Sequence, residues 1–207
     1  MIFNIITTDI NVVINVVFTD PLAANLVLLG TAYMGIAAYV GFRYTLGRES
    51  DEISRAYGSF LTLTGAYATF YGLFYSILWP GPMTGAYNIL FGDSLTLFGF
   101  LALLSGWAIL KKGSLYFVGI MAFFVGIYAI VSGVGAYQLS MTKAPLVMLS
   151  LYLASGVSGL LVPVTVITRN RIVSILQVIV LVVAALSAFA IGFPAISGHL
   201  AAFAKVA

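Results

Sequence analysis

Residues 172–193 read IVSILQVIVLVVAALSAFAIGF, an uncharged run that is almost continuously apolar from Ile175 to Leu186. A helix needs about 20 such residues to cross a hydrocarbon core of about 30 Å. A membrane β-strand would instead show segments of roughly ten residues alternating apolar and polar. Neither this run nor Leu101 to Leu104 alternates, so the reading is helical. Inside a bilayer every backbone N–H and C=O must find a partner within its own segment, which fits the shortness of the breaks between runs.

Working outward, five further stretches meet the same length: residues 22–42, 55–79, 94–110, 114–139 and 145–167. The expected fold is an all-α integral membrane protein with six transmembrane helices, forming one membrane domain over residues 1–207. Composition agrees, since the chain is 62% hydrophobic and 7% charged, against about 45–50% and about 25% in soluble domains. The longest polar interruptions, 44–54 and 80–93, are too short to bury a core. With no cysteine, disulfides, thiolate metal sites, iron–sulfur clusters and thiol catalysis are excluded.

The ends read differently. Asn4, Thr8, Asn11 and Asn15 fall at helical spacing on one stripe, so residues 1–20 are expected to form an interfacial helix. They carry no basic residue of the kind that opens a signal peptide. Asp20-Pro21 reads as an N-cap with proline at the first helical position. Residues 194–207, with Ser197, His199 and Lys205 among alanines, are expected to form a short surface helix.

Seven of the nine Lys and Arg residues (Arg43, Arg48, Arg55, Lys111, Lys112, Arg169 and Arg171) fall at the first, third and fifth connections. The positive-inside rule then puts those connections in the cytoplasm and both termini outside the cell membrane. The net charge of +3 is spread over several loops and sets topology; it does not point to nucleic acid.

The second connection, Trp79-Pro80-Gly81-Pro82 leading to Tyr87-Asn88-Ile89-Leu90-Phe91-Gly92-Asp93, combines residues that stop helices with residues that allow left-handed backbone. It reads as an external binding element using Tyr87, Asn88 and Asp93, or as a rigid cap in which Asp93 is the N-cap of the next helix. Lys143, on the same predicted side, either snorkels or pairs with Asp93 or Asp20. Tyr67, Tyr71, Tyr75 and Trp79 recur every four residues, an aromatic ridge that either packs helices or offers a quinone or lipid a stacking surface. The small-residue run Ser155, Gly156, Ser158 and Gly159 lets helix backbones approach closely, within the bundle or toward a partner. His199 is the only histidine, which rules out bis-histidine haem and multi-histidine metal sites. No cofactor or metal is expected.

Trp79 to Pro82, Tyr87 to Asp93, Phe98-Gly99 and Thr142-Lys143-Ala144-Pro145 resemble the uncharacterised prokaryotic, largely archaeal, membrane proteins catalogued as domain of unknown function 981. Met83, Thr84, Gly85 and Ala86 lengthen the loop relative to the compact form of that family. The resemblance implies a helical membrane protein and no established activity.

Every acidic residue maps to a helix boundary, whereas proton-coupled pumps and transporters keep ionisable groups at membrane depth. The functional expectation is therefore a non-enzymatic accessory or scaffold subunit of a larger membrane assembly, for example a respiratory complex, partnered by lipid and by other membrane subunits. The alternative is a permease for a small uncharged solute or an ion, lined by Thr64, Tyr67, Tyr71, Ser76 and Asn88.

Overall fold

The computed structural model describes residues 21–78 and 87–203. Asp20, the expected interfacial helix and the Trp79 to Ala86 part of the second connection lie outside them. The first described helix, α1 (Pro21–Val40), opens on the proline, whose missing N–H is one of the donors a first helical turn leaves unused anyway. It runs on through a π-helical turn, Gly41–Thr45. α2 (Asp51–Leu78) begins with Asp51 and Glu52, acids that favour the positive end of a helix dipole. A second π-helical turn, Asn88–Asp93, leads directly into α3 (Ser94–Leu110). α4 (Tyr116–Gln138), α5 (Pro145–Thr168) and α6 (Arg171–Phe203) complete the order.

The connections after α3, α4 and α5 use non-glycine residues in the left-handed region, Lys112 (φ 52°), Ser140 (φ 49°) and Arg169 (φ 50°), and the one before α2 uses Gly47 (φ 63°). After α3 the Gly113 amide reaches back to the Ala108 carbonyl and the Lys112 amide to Ile109. After α4, Met141 and Ser140 do the same to Ala136 and Tyr137. Both are Schellman closures, which satisfy the orphan carbonyls of a helix end and turn the chain back within a few residues.

Consecutive helices therefore run antiparallel and close into a ring in chain order, with α6 beside α1. The tightest seams are α2 with α3, α4 with α5 and α1 with α6. The core sits mainly between α1, α5 and α6, where Leu26, Tyr33, Leu151, Leu181, Ala184, Ala185 and Ala188 are buried together. Large apolar side chains also face outward, among them Phe117, Phe124 and Val131 on α4 and Ile172, Leu176 and Leu186 on α6. A helix apolar on all sides belongs in an apolar surrounding.

Two sequence expectations change here. Among the described residues there are six α-helices, but five stretches are both long and apolar enough to cross a membrane: Leu22–Thr45, Asn88–Leu110, Tyr116–Gln138, Pro145–Thr168 and Arg171–Ala201. α2 has the length and falls short on apolarity because of its hydroxyl residues. Those hydroxyls are satisfied internally, Thr62 donating to the Gly58 carbonyl, Thr64 to Phe60, Thr69 to Gly65 and Ser76 to Gly72, so their polarity makes no demand for water. The second correction concerns the tail: among the described residues no separate surface helix follows Pro194, because α6 continues through it to Phe203, and residues 204–207 lie outside the described residues. A proline removes one backbone donor and strains one turn, which the long flanking helix absorbs.

Candidate functional site

At the end of the bundle where α2 gives way to α3, the π-helical turn settles several expectations. Asp93 lies inside continuous helical backbone (φ −65°, ψ −41°) and caps nothing; its Oδ1 accepts from Ser76 Oγ at 2.6 Å. The N-cap reading fails because the helix already starts upstream. Asn88 donates weakly to the Ser76 carbonyl at 3.4 Å, and Tyr87 donates to the Met141 carbonyl at 2.9 Å. Tyr87, Asn88 and Asp93 thus tie the turn to α2 and to the α4–α5 connection. Lys143 is exposed. Among the described residues the ion pairs are Arg43 with Glu49 and Lys112 with Asp51, so the expected pairing of Lys143 with Asp93 is not made. Asp93 has found a hydroxyl donor on its own helix hairpin, which needs no long flexible ammonium.

A π turn shifts carbonyls out of register with their usual amides. Here the Ile89 carbonyl accepts from Tyr128 Oη at 3.1 Å and the Leu90 carbonyl from Tyr152 Oη. The two tyrosines, on α4 and α5, clip the turn to the next two helices of the ring. This arrangement is structural, and it holds one end of the bundle together.

The aromatic ridge divides. Tyr75 is buried and its hydroxyl accepts from Asn25 Nδ2 at 2.9 Å, while Tyr67 is exposed and stacks at a tilt on Tyr71 with centroids 4.5 Å apart. Trp79 lies outside the described residues. The small-residue run is spent inside the chain: a methyl group at Gly156 or Gly159 would lie 2.7 Å from the Gly126 carbonyl or 2.6 Å from the Ala122 carbonyl of α4. Gly156 and Gly159 pack helices as expected, but the face they form belongs to α4 and is closed to an outside partner.

The ring leaves a cavity of about 210 Å³ along its axis, lined by residues from all six helices. Its walls are aliphatic and aromatic, among them Leu29, Tyr33, Phe98, Val125, Leu151 and Leu181, and none of the lining side chains is ionisable as an acid, amine, guanidine or imidazole. The polar groups are few and uncharged: Asn25, Ser94, Ser105, Ser155, Ser158, Thr165 and Gln177, with the tyrosines. Asn25, Thr165 and Gln177 are 3%, 1% and 2% exposed, and Asn25 Oδ1, Ser94 Oγ, Thr165 Oγ1 and Gln177 Oε1 have no hydrogen-bond partner. A buried acceptor without a donor costs about 1–3 kcal/mol, so four on one cavity are a substantial burden.

Of the five permease-lining candidates from the sequence, Thr64, Tyr67, Tyr71, Ser76 and Asn88, none reaches this cavity. The residues that do were recognisable by a different signal, a lone amide within an otherwise apolar span: Asn25 in α1 and Gln177 in α6. At the other end from the π turn of α3, Arg43 donates to Tyr39 Oη, lies 5.3 Å from the Tyr44 ring centroid and pairs with Glu49. These charges lie at that rim, away from the axis. No group of three or more metal-ligating acids, histidines or cysteines occurs among the described residues.

A family model described as "Protein of unknown function (DUF981)" matches residues 15–202. No curated protein and no solved structure matches the chain.

Proposed function

The chain belongs to the DUF981 family of proteins of unknown function, and from its interior we propose that it is a non-catalytic, multi-pass membrane protein whose helix ring takes up a small, uncharged, mainly apolar molecule from the bilayer. The observation that carries this reading is the axial cavity of about 210 Å³, walled by all six helices and free of ionisable acids and bases. Few convergent polar groups in an apolar enclosure are the usual make-up of a small-molecule site. The same walls argue against an ion, which would lose its hydration with no charge or carbonyl ring to replace it. The reading narrows the permease alternative to an uncharged lipophile and is neutral on whether the molecule crosses or stays. In it α2 joins the five more apolar helices in spanning the bilayer, with both termini outside by the positive-inside rule.

An accessory subunit of a larger membrane assembly is the second reading. The broad apolar outer surfaces of α4 and α6 favour it, although lipid satisfies such surfaces equally well.

Native mass spectrometry of the purified chain released from micelles tests the first reading. A neutral mass retained after the detergent is stripped is expected, and it should disappear in Ala129→Leu, which fills the cavity wall. Retention of the same mass by that variant, or an empty protein throughout, would overturn the cavity as the site. A stoichiometric protein partner surviving gentle solubilisation, with an empty cavity, would move the conclusion to the second reading.

A further inference from the structure

Resting on that reading, we propose that the molecule is an elongated lipophilic alcohol whose hydroxyl docks against Gln177 and Thr165 at the arginine-bearing end of the cavity. Two unpaired oxygens lie at this end, Gln177 Oε1 on α6 and Thr165 Oγ1 on α5, each on a side chain at least 98% buried. The Ser150–Ser187 hydrogen bond sets the register of these neighbouring antiparallel helices. By that register the two residues are about 8 Å apart along the axis at a rise of 1.5 Å per residue, a gap that the reach of a glutamine side chain shortens. At the opposite end Ser94 Oγ is unpaired as well, but it is a single small hydroxyl, and Asn25 beside it in the lining is already half satisfied by Tyr75.

The chemistry of these groups selects the ligand class. A hydrocarbon would leave both oxygens unpaired. A fatty carboxylate would enter with a charge that no lining cation balances, and an alkylammonium would lack a counter-ion for the same reason. A hydroxyl carries one donor and two acceptor lone pairs, so it satisfies a glutamine amide in either orientation and a threonine hydroxyl as well. Length follows from the fold. Val178, next to Gln177, faces Gly41 of α1, so Gln177 and Asn25 lie about 24 Å apart along the axis. Between them run Leu181, Tyr33, Phe98 and Leu26, a path suited to an alkyl chain.

The probe is a twelve-carbon alcohol bearing a mid-chain diazirine, photolysed with the full chain in phosphatidylcholine nanodiscs and mapped by peptide mass spectrometry. Labels are expected on cavity-lining positions of α5 and α6. Unlabelled dodecanol should compete about tenfold better than dodecyl methyl ether or dodecanoate, the worth of one donated hydrogen bond. Gln177→Leu should cut labelling by about the same factor while unfolding at the same or a higher temperature, because an unpaired buried acceptor has been removed. Thr165→Val provides a second, smaller change that keeps the side-chain volume. Equal competition by the ether, or unchanged labelling in a folded Gln177→Leu protein, would overturn the hydroxyl assignment and mean that water satisfies the oxygens. Cavity labelling competed equally by dodecane would leave the lipophile site standing and remove only the alcohol. Labels confined to the outer, lipid-facing side chains would remove both.

Discussion

The seam between α2 and α3 and the axis of the ring are built from the same kinds of residue and packed to opposite extremes. In the seam, Gly58, Gly65 and Gly72 on α2 meet Gly92 of the π turn and Gly99 and Gly106 of α3, two heptad series running antiparallel. A methyl group at Gly65 would lie 2.2 Å from the Leu103 backbone nitrogen, and one at Gly72 2.3 Å from that of Thr96. One helix away, about 210 Å³ of space is left unfilled. Helices in lipid gain no hydrophobic energy by packing together, so close shape fit is what holds them. A chain that can bring backbones together this closely is capable of closing its centre, and it keeps the centre open while leaving acceptors there unpaired. Stability resides in the seams, and function is to be sought on the axis.

The largest effect should come from breaking a seam. Gly65→Leu forces side-chain atoms into backbone that cannot rotate away, so it should destabilise by about 3 kcal/mol or more. Replacing Ala129, on the cavity wall, by the same leucine should change stability by no more than about 1 kcal/mol, in either direction. Unfolding of the purified proteins by dodecyl sulfate titration in mixed micelles compares them directly. Similar losses in the two variants would mean that the axis is packed as tightly as the seam.

How much of this was legible beforehand depends on which physical signal each feature leaves. Helix number and rough bounds follow from run length and apolarity, and the six stretches reappear as six helices. The polarity of α2 gave no warning that its Thr and Ser hydroxyls would fold back onto their own carbonyls. The glycine heptads are present in the sequence, with a third at Gly119, Gly126 and Gly133, but spacing does not say which helix each one faces. That is why Gly156 and Gly159 suggested a partner when they pack on α4. The π turn at Asn88–Asp93 has no simple sequence mark, and without it Asp93 reads as a cap. Asn25 and Gln177 were visible all along as isolated amides in apolar runs. Attention to ionisable groups passed over them, because an amide is a modest cost unless its partner is missing, and partnership is a property of the fold alone.

A middle-sized effect should come from the clips that join the seam to the rest of the ring. Tyr152 is the donor to the Leu90 carbonyl, and Leu90 is itself buried. Tyr152→Phe keeps the ring and removes the donor, leaving that carbonyl without its partner at a cost of about 1–3 kcal/mol. Tyr128→Phe, whose bond to Ile89 is exposed, should cost less. The same dodecyl sulfate titration ranks them. If Tyr128→Phe proves the more damaging, the clip is organised around Ile89, and the comparison between rigid seam and open axis must be redrawn at that end.

The smallest effect belongs to the charged rim. Lys112 Nζ lies 2.9 Å from the Asp51 carboxylate, joining the start of α2 to the end of α3, with both side chains 72% exposed. The hydrogen bond from Lys112, together with its charge, holds the Asp51 carboxyl below its ordinary value. A lowered folded value means that any stability from this pair is complete above the unfolded carboxylate value of about 3.9 and is lost as pH falls through the lower folded one. At neutral pH an exposed pair is screened by water and salt, so Asp51→Asn should leave the unfolding midpoint unchanged within error. The carboxyl itself is the sensitive reporter: its NMR titration midpoint should rise toward the ordinary value in Lys112→Met and at high salt. A midpoint indifferent to both changes would show that the pair does not persist in solution. A large loss of stability in Asp51→Asn at neutral pH would show that the rim, and not only the glycine seam, clamps α2 to α3.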